Sequence, residues 1–262
     1  TELTGYPSYS VYDDYTWDRQ NLMSGASDDW AYEHLGVFAW TTEFWDVVAA
    51  ATGQRAHPIK WYLEHPVEDD LALLRWNDEN FGGRLYVDWM PFDHPQLGPV
   101  EIGGWNWLFS WTNPPAEGLE AEVRPHTDFA VFTALAAPCL EILETTVQPL
   151  GDDVWRVRVV VHNTGWLPTT VTAQAQRNSL VLPATVTLEP ADGVTVDAPA
   201  RVEVGQLAGK ALARVGYGGG SDGTPDRAKA EWIVRGPAGF ELVAVARHPR
   251  GGTKRVALTL LG

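Results

Sequence analysis

The sequence predicts a mixed fold: an α/β segment over the first half, then an all-β immunoglobulin-like sandwich. Three observations predict it. Ten of the 13 Trp residues lie at or before Trp111, so aromatic packing dominates the first part. Proline-opened, leucine-bearing stretches of helical character sit among them. After about residue 143 the chain turns to Val, Thr, Ala and Gly in short alternating runs, the period-2 pattern of half-buried strands. The shift divides the chain into 1–143 and 144–262.

Bulk properties narrow the partners. The formal net charge is -15, with a sequence pI near 4.7. Nucleic acid and anionic membranes need clustered Lys and Arg, so both are excluded as expected partners. The longest apolar stretch, Phe129 to Cys139, is too short to span a bilayer. Cys139 is the single cysteine, so no intrachain disulfide forms and the compartment stays open. Thr1 is not an initiator residue, so a natural start upstream of it is expected.

Along the chain, residues 1–29 are rich in Tyr, Ser, Asp and Gly and read mostly as ordered loop. Gly36 to Trp45 is dense in β-branched and aromatic residues and reads as a buried strand. Pro58 opens a short helix, Ile59 to His65. Pro66 opens a second one through Asp78, with Leu71, Leu74 and Trp76 as its buried stripe and Gly82-Gly83 as its stop. Leu85 to Met90 and Val100 to Ile102 read as short strands. Asp128 is the expected N-cap of an apolar helix to about Ala137, where Pro138 breaks it. Beyond it the candidate strands are Glu141–Val147, Trp155–His162, Thr170–Gln174, Ala184–Leu188, Arg201–Val204, Ala211–Val215, Ala228–Val234, Glu241–Ala246 and Arg255–Leu260. Turn signals such as Asn163-Thr164-Gly165 and Gly251-Gly252 separate them. The Gly218–Gly223 run lacks a strand–helix setting and reads as a flexible loop.

The segment with chemical content is Ser24-Gly-Ala-Ser-Asp-Asp-Trp-Ala-Tyr-Glu-His-Leu-Gly36, followed by Thr41-Thr-Glu43. It resembles the M14 zinc carboxypeptidases, in which a Gly-rich loop ending in Asp-Trp-x-Tyr leads into a strand bearing Thr-x-Glu. Val87-Asp-Trp-Met-Pro-Phe-Asp-His-Pro-Gln-Leu-Gly98, Val100-Glu-Ile-Gly-Gly-Trp105 and Asn113-Pro-Pro115 are similar to a bacterial branch of that family. The resemblance covers about the first 140 residues. It implies that they are an α/β remnant, the C-terminal portion of a zinc carboxypeptidase catalytic domain.

The resemblance assigns roles. Glu43 is the expected general base: a carboxylate beside zinc-bound water takes its proton and returns it to the leaving amine. Asp28 falls at the position that reads the substrate side chain, and an acidic residue there fits a C-terminal Lys or Arg. Asp28 also reads as a turn cap. Asp29 and Tyr32 hold the loop, and Trp30 is expected in the core.

The resemblance also implies a Zn²⁺ cofactor held by a His-x-x-Glu pair and a distant His, all before the catalytic glutamate. The 42 residues preceding Glu43 contain one His, His34, and one Arg, Arg19. The zinc ligands and the arginines that grip the substrate carboxylate are therefore not found in this chain. His65-Pro-Val-Glu68 has ligand spacing but reads better as a helix boundary. His94 reads as a hydrogen-bonding loop residue, and no spacing recommends His57, His126, His162 or His248. The family's mobile substrate-binding tyrosine maps to Asn21, with Tyr12 and Tyr15 as possible substitutes.

Two functions follow. One is a fragment of a metallocarboxypeptidase that acts on peptide or protein C-termini, inactive alone because the zinc ligands are missing, with the missing N-terminal half of its catalytic domain as expected partner. The alternative is a non-catalytic pseudo-peptidase module that recognises protein or carbohydrate through its sandwich.

Overall fold

The computed structural model of the chain describes every residue except Trp17, Arg19, Asn21, Leu22, 213–223 and Gly262. Its helices are α1 (Ser27–Trp30), α2 (Val47–Thr52), α3 (Lys60–Leu63), α4 (Val67–Phe81), α5 (Leu119–Leu135) and α6 (Ala173–Arg177). The strands are β1 (Tyr86–His94), β2 (Gly98–Trp105), β3 (Leu140–Gly151), β4 (Val154–Asn163), β5 (Ala184–Pro190), β6 (Thr195–Val196), β7 (Arg201–Gly205), β8 (Arg227–Arg235), β9 (Glu241–His248) and β10 (Gly252–Thr259). They form three sheets: the hairpin β1-β2, and two four-stranded sheets ordered β10-β9-β5-β7 and β3-β4-β8-β6.

The chain divides into two compact units. One holds Thr1–Ser24 and Thr41–Val131; the other holds Gly25–Trp40 and Phe132–Gly262. The boundary thus falls earlier than residue 143, and a segment from the Trp-rich half joins the β-rich unit.

The two four-stranded sheets share one core, because their strands alternate in chemistry. In β4 the residues Trp155, Val157, Val159, Val161 and Asn163 are buried while their neighbours are less so. Trp155, Val157, Val159 and Val161 meet Val186 and Leu188 of β5, Trp232 and Val234 of β8, and Leu242 and Ala244 of β9 in a cluster of 17 buried residues. Fully burying one such aliphatic side chain contributes about 1.5–3 kcal/mol. The polar ends are satisfied too: the Trp155 indole donates to Gly236 O at 2.8 Å.

Asn163 ties this unit together at the end of β4. Its Oδ1 accepts from Cys139 N at 2.9 Å and Gly165 N at 3.0 Å. Its Nδ2 donates to Leu167 O at 2.9 Å and Ala208 O at 3.0 Å. Every hydrogen-bonding site of the amide is used, and none is exposed.

The first unit is organised differently, and the fold class read from the sequence is corrected here. It is not the α/β remnant of a carboxypeptidase: among the described residues it holds helices and one antiparallel hairpin, so the chain as a whole is mixed α/β, mostly β, in three sheets. The two-sheet half agrees with a sandwich. Gly36 to Trp45 forms no strand. Its β-formers gain from that state only against a paired neighbour, and none of them pairs with a described strand. In α4 the buried stripe is Leu73 and Asn77, with Leu71 and Leu74 exposed. Helix α5 begins at Leu119, accommodates Pro125, and carries Asp128 in its interior. Thr170–Gln174 is not a strand, since Thr172 Oγ1 accepts from Ala175 N and caps α6. Ala211–Val215 and Gly218–Gly223 lie largely or wholly outside the described residues.

His248, 1% exposed, makes the β-rich unit sensitive to pH. Its Nδ1 accepts from Arg250 N at 3.1 Å and Gly251 N at 3.0 Å, which leaves Nε2–H to donate toward Gln206 Oε1 at 3.2 Å. Burial first, and then the Arg250 charge, lower its pKa. The unfolded chain takes up this proton near pH ~6.5, before the folded one does. Stability is therefore complete above that pH and lost as pH falls through the depressed folded value. The melting temperature is expected to drop between about pH 7.5 and pH 5.5, with a shallower drop in His248→Asn. Replacing Asn163 by Ala strands four backbone groups, of which Gly165 N–H is buried and the others part-buried. It is expected to cost about 2–4 kcal/mol, read as a lower urea midpoint at unchanged m.

Candidate functional site

Glu43 lies in the first unit, on the irregular run that leads into α2. It is exposed. Tyr15 is near enough to feel it: burial first, and then the Glu43 charge, raise the Tyr15 phenol pKa. Asp46 caps α2 by accepting from Ala49 N at 2.9 Å and pairs with Arg55 at 3.5 Å.

Two residues after Glu43 stands a polar node that sequence reasoning missed. Trp45 has φ 74°, a left-handed conformation that a bulky side chain rarely adopts. Three bonds hold it there. Its backbone N–H donates to Tyr6 Oη at 2.8 Å and Glu122 Oε1 at 3.2 Å, and its indole donates to Ser110 O at 2.6 Å. Tyr6 also donates to Glu122, and the Arg55 guanidinium lies 3.9 Å over the Tyr6 ring. Burial first, then the Glu122 bond, push the Tyr6 pKa up to about 12. His126 is buried between the edges of Tyr6 and Phe44, at ring separations of 4.8 and 4.6 Å. No local pattern marks these residues, because their separations along the chain are long.

Asp28 lies in the other unit. The structure therefore assigns the two residues that the resemblance joins in one site to different compact bodies. Its Oδ1 is shut from solvent without a hydrogen-bond partner among the described residues. Trp30, expected in the core, is 55% exposed, and Tyr32 is exposed as well. Residues Arg19 and Asn21 lie outside the described residues.

What holds the Asp28 segment is the β-rich unit. Helix α1 continues through a wide turn, Ala31–Leu35, and stops at Gly36, whose φ is 61°. At that end Arg250 donates to Leu35 O, Gly36 O and Thr170 O. A guanidinium suits the negative end of a helix. Thr172 Oγ1 also donates to Gly36 O at 2.7 Å, and Gln174 Nε2 donates to Glu33 at 2.7 Å. A Cβ on Gly36 would stand 2.4 Å from Ala175 Cβ, so only glycine permits this approach. The conspicuous motif is thus a docking helix.

The donor set for zinc does not fit. Among the described residues no three His, Cys, Asp or Glu side chains group closely enough to hold a metal. His65 instead stacks on Trp61 at 4.0 Å, bonds Trp61 O at 2.9 Å and pairs with Asp70 at 3.2 Å. Its pKa is raised, by the Trp61 carbonyl first. Glu68 is exposed on the first turn of α4. His94 Nδ1 accepts from Gln96 and Leu97 N in the hairpin turn, and His57 Nδ1 accepts from Ile59 and Lys60 N at the start of α3. His162 pairs with Asp226 at 2.7 Å.

The comparisons bear on the β-rich half. Residues 139–259 match the family model of a domain of unknown function (DUF8731). No curated protein matches the chain. Among solved structures, the GAE domain of GGA2p from Saccharomyces cerevisiae is similar over 47% of this chain and 87% of its own, at 9% identity and a TM-score of 0.26. The yeast GGA1 GAE domain is similar over 46% of this chain and 88% of its own, at 11% identity and a TM-score of 0.25. Among the described residues no helix is long and apolar enough to cross a membrane.

Arg250→Ala removes charge-assisted bonds worth about 1.5–3 kcal/mol. Amide exchange over residues 27–36 is expected to rise ten- to a hundredfold, while β4 and β8 keep their protection. Arg250→Lys is expected to restore little, since a point charge cannot reach three carbonyls as a fork does.

Proposed function

We propose that the chain is a non-catalytic recognition module that binds polypeptide. The observation that carries this reading is the surface of the protein. The chain exposes 17183 Å², whereas a folded monomer of 28.9 kDa exposes about 11,400 Å², and two separate halves about 13,700 Å². Among the described residues, exposed large apolar side chains are most numerous in the first unit, where Trp89, Trp107, Leu97 and Leu63 are each more than half exposed. Four residues, Val47, Val48, Trp61 and Leu73, make up its buried cluster among the described residues. Large exposed apolar patches mark interaction surfaces.

A second reading is favoured by the Ser27-Asp-Asp-Trp-Ala-Tyr32 to Thr41-Thr-Glu43 spacing and by the nearness of Tyr15 to Glu43. In it the chain contributes the general base Glu43 to a metallocarboxypeptidase, and Asp28 favours C-terminal Lys or Arg. The zinc would then be held by residues that this chain does not supply.

Zinc loading tests the recognition reading. After exposure to zinc and removal of loosely bound metal, elemental mass spectrometry is expected to find less than about 0.1 equivalent. Peptides ending in Arg or Phe are expected to stay intact. Close to one equivalent, with release of the C-terminal residue, would overturn the recognition reading.

A further inference from the structure

The hairpin β1-β2 has two faces of different chemistry. Met90 pairs with Ile102 and Phe92 with Val100, while Pro91 pairs with Glu101 and Asp93 with Pro99. Alternate residues share a face of a strand, so Met90, Phe92, Val100 and Ile102 form one apolar side. Met90, Phe92 and Ile102 are 49%, 43% and 42% exposed. Among the described residues neither strand pairs with any other, and a two-stranded hairpin is marginal by itself in water. Its strands nevertheless approach closely, since a Cβ on Gly103 would stand 2.6 Å from Trp89 Cα.

Charge decides what covers that face. From Tyr86 to Trp105 the hairpin carries three carboxylates (Asp88, Asp93 and Glu101) and no Lys or Arg. A second copy would set these carboxylates against their own kind, and an anionic lipid surface would meet the same repulsion. A polypeptide segment with an apolar centre and basic flanks meets neither obstacle. We infer that the apolar face of the hairpin is the docking surface for such a segment of another protein, its Lys or Arg residues reaching the hairpin carboxylates. The inference rests on the recognition reading and gives it a place and a partner chemistry.

The test uses the full chain and two labelled peptides of alternating Val and Thr, one flanked by Lys and one by Glu, followed by fluorescence anisotropy. The Lys-flanked peptide is expected to bind at least about tenfold more tightly, and less so as salt rises. Phe92→Asp is expected to abolish binding. Asp93→Lys, on the polar face, is expected to narrow the difference between the peptides without touching the apolar face, and it serves if Phe92→Asp fails to fold. Equal affinities, or no binding of either peptide, would overturn the inference. So would a dimer in sedimentation that Phe92→Asp dissolves, because the occupant would then be a second copy. Failure here without zinc uptake removes the docking site alone; zinc uptake with peptide cleavage removes the recognition reading itself.

Discussion

Strand β4 sets the terms for the β-rich unit, because it is paired along both edges and buried along one whole face. Its ten residues pair with β3 on one side, and nine of them, Val154 to His162, with β8 on the other. Each backbone group is thereby spent in the ladder, and each inward side chain is committed to the shared core. A shift by one residue would turn Val157, Val159 and Val161 outward and bring Arg156 and Arg158 inward, so the register has one solution. The strand ends on Asn163, where a buried amide replaces the next ladder bond and fixes the following loop. The core, the loop beyond it and the seat of Arg250 all inherit their positions from this strand.

The first unit has no such element. Its aromatic residues pack mainly on one another, as in Trp107 on Trp111 at 5.5 Å and Trp61 beside Trp111 at 5.9 Å. Aromatic pairs of this kind add modest energy beyond their burial. They do not close a surface, and the hairpin and helices are left with apolar faces in solvent. The left-handed Trp45 shows where the unit is most tightly specified: one backbone N–H and one indole N–H fix a conformation that steric preference opposes.

The motif that led the sequence reading changes meaning in three dimensions. Glu43 and Asp28 belong to different bodies, and the run between them is split at Trp40. The helix carrying Asp28 is held by a guanidinium more than 200 residues away along the chain. That contact is local in space and remote in sequence, so neither spacing nor composition pointed to it. The zinc ligands implied by the resemblance have no counterpart in the packing of His65, His94 or His57, each of which is engaged by its own backbone surroundings.

The alternation of β4, β5, β8 and β9 was legible from the sequence because a strand with one buried face writes its pattern every second residue. Helices α3 and α4 were legible from Pro58 and Pro66, whose fixed φ opens a helix wherever it stands. Gly36 to Trp45 was misread because β-propensity describes a side chain beside a neighbouring strand, and a sequence does not say whether that neighbour exists. Helix α6 at Thr172 was missed because a capping hydroxyl outweighed three β-branched residues. The Arg250 anchor, the Tyr6–Glu122–Trp45 node and the apolar face of the hairpin were decided by tertiary structure alone. Local pattern records how one residue's burial relates to its neighbours; which distant group meets it is settled only when the chain closes on itself.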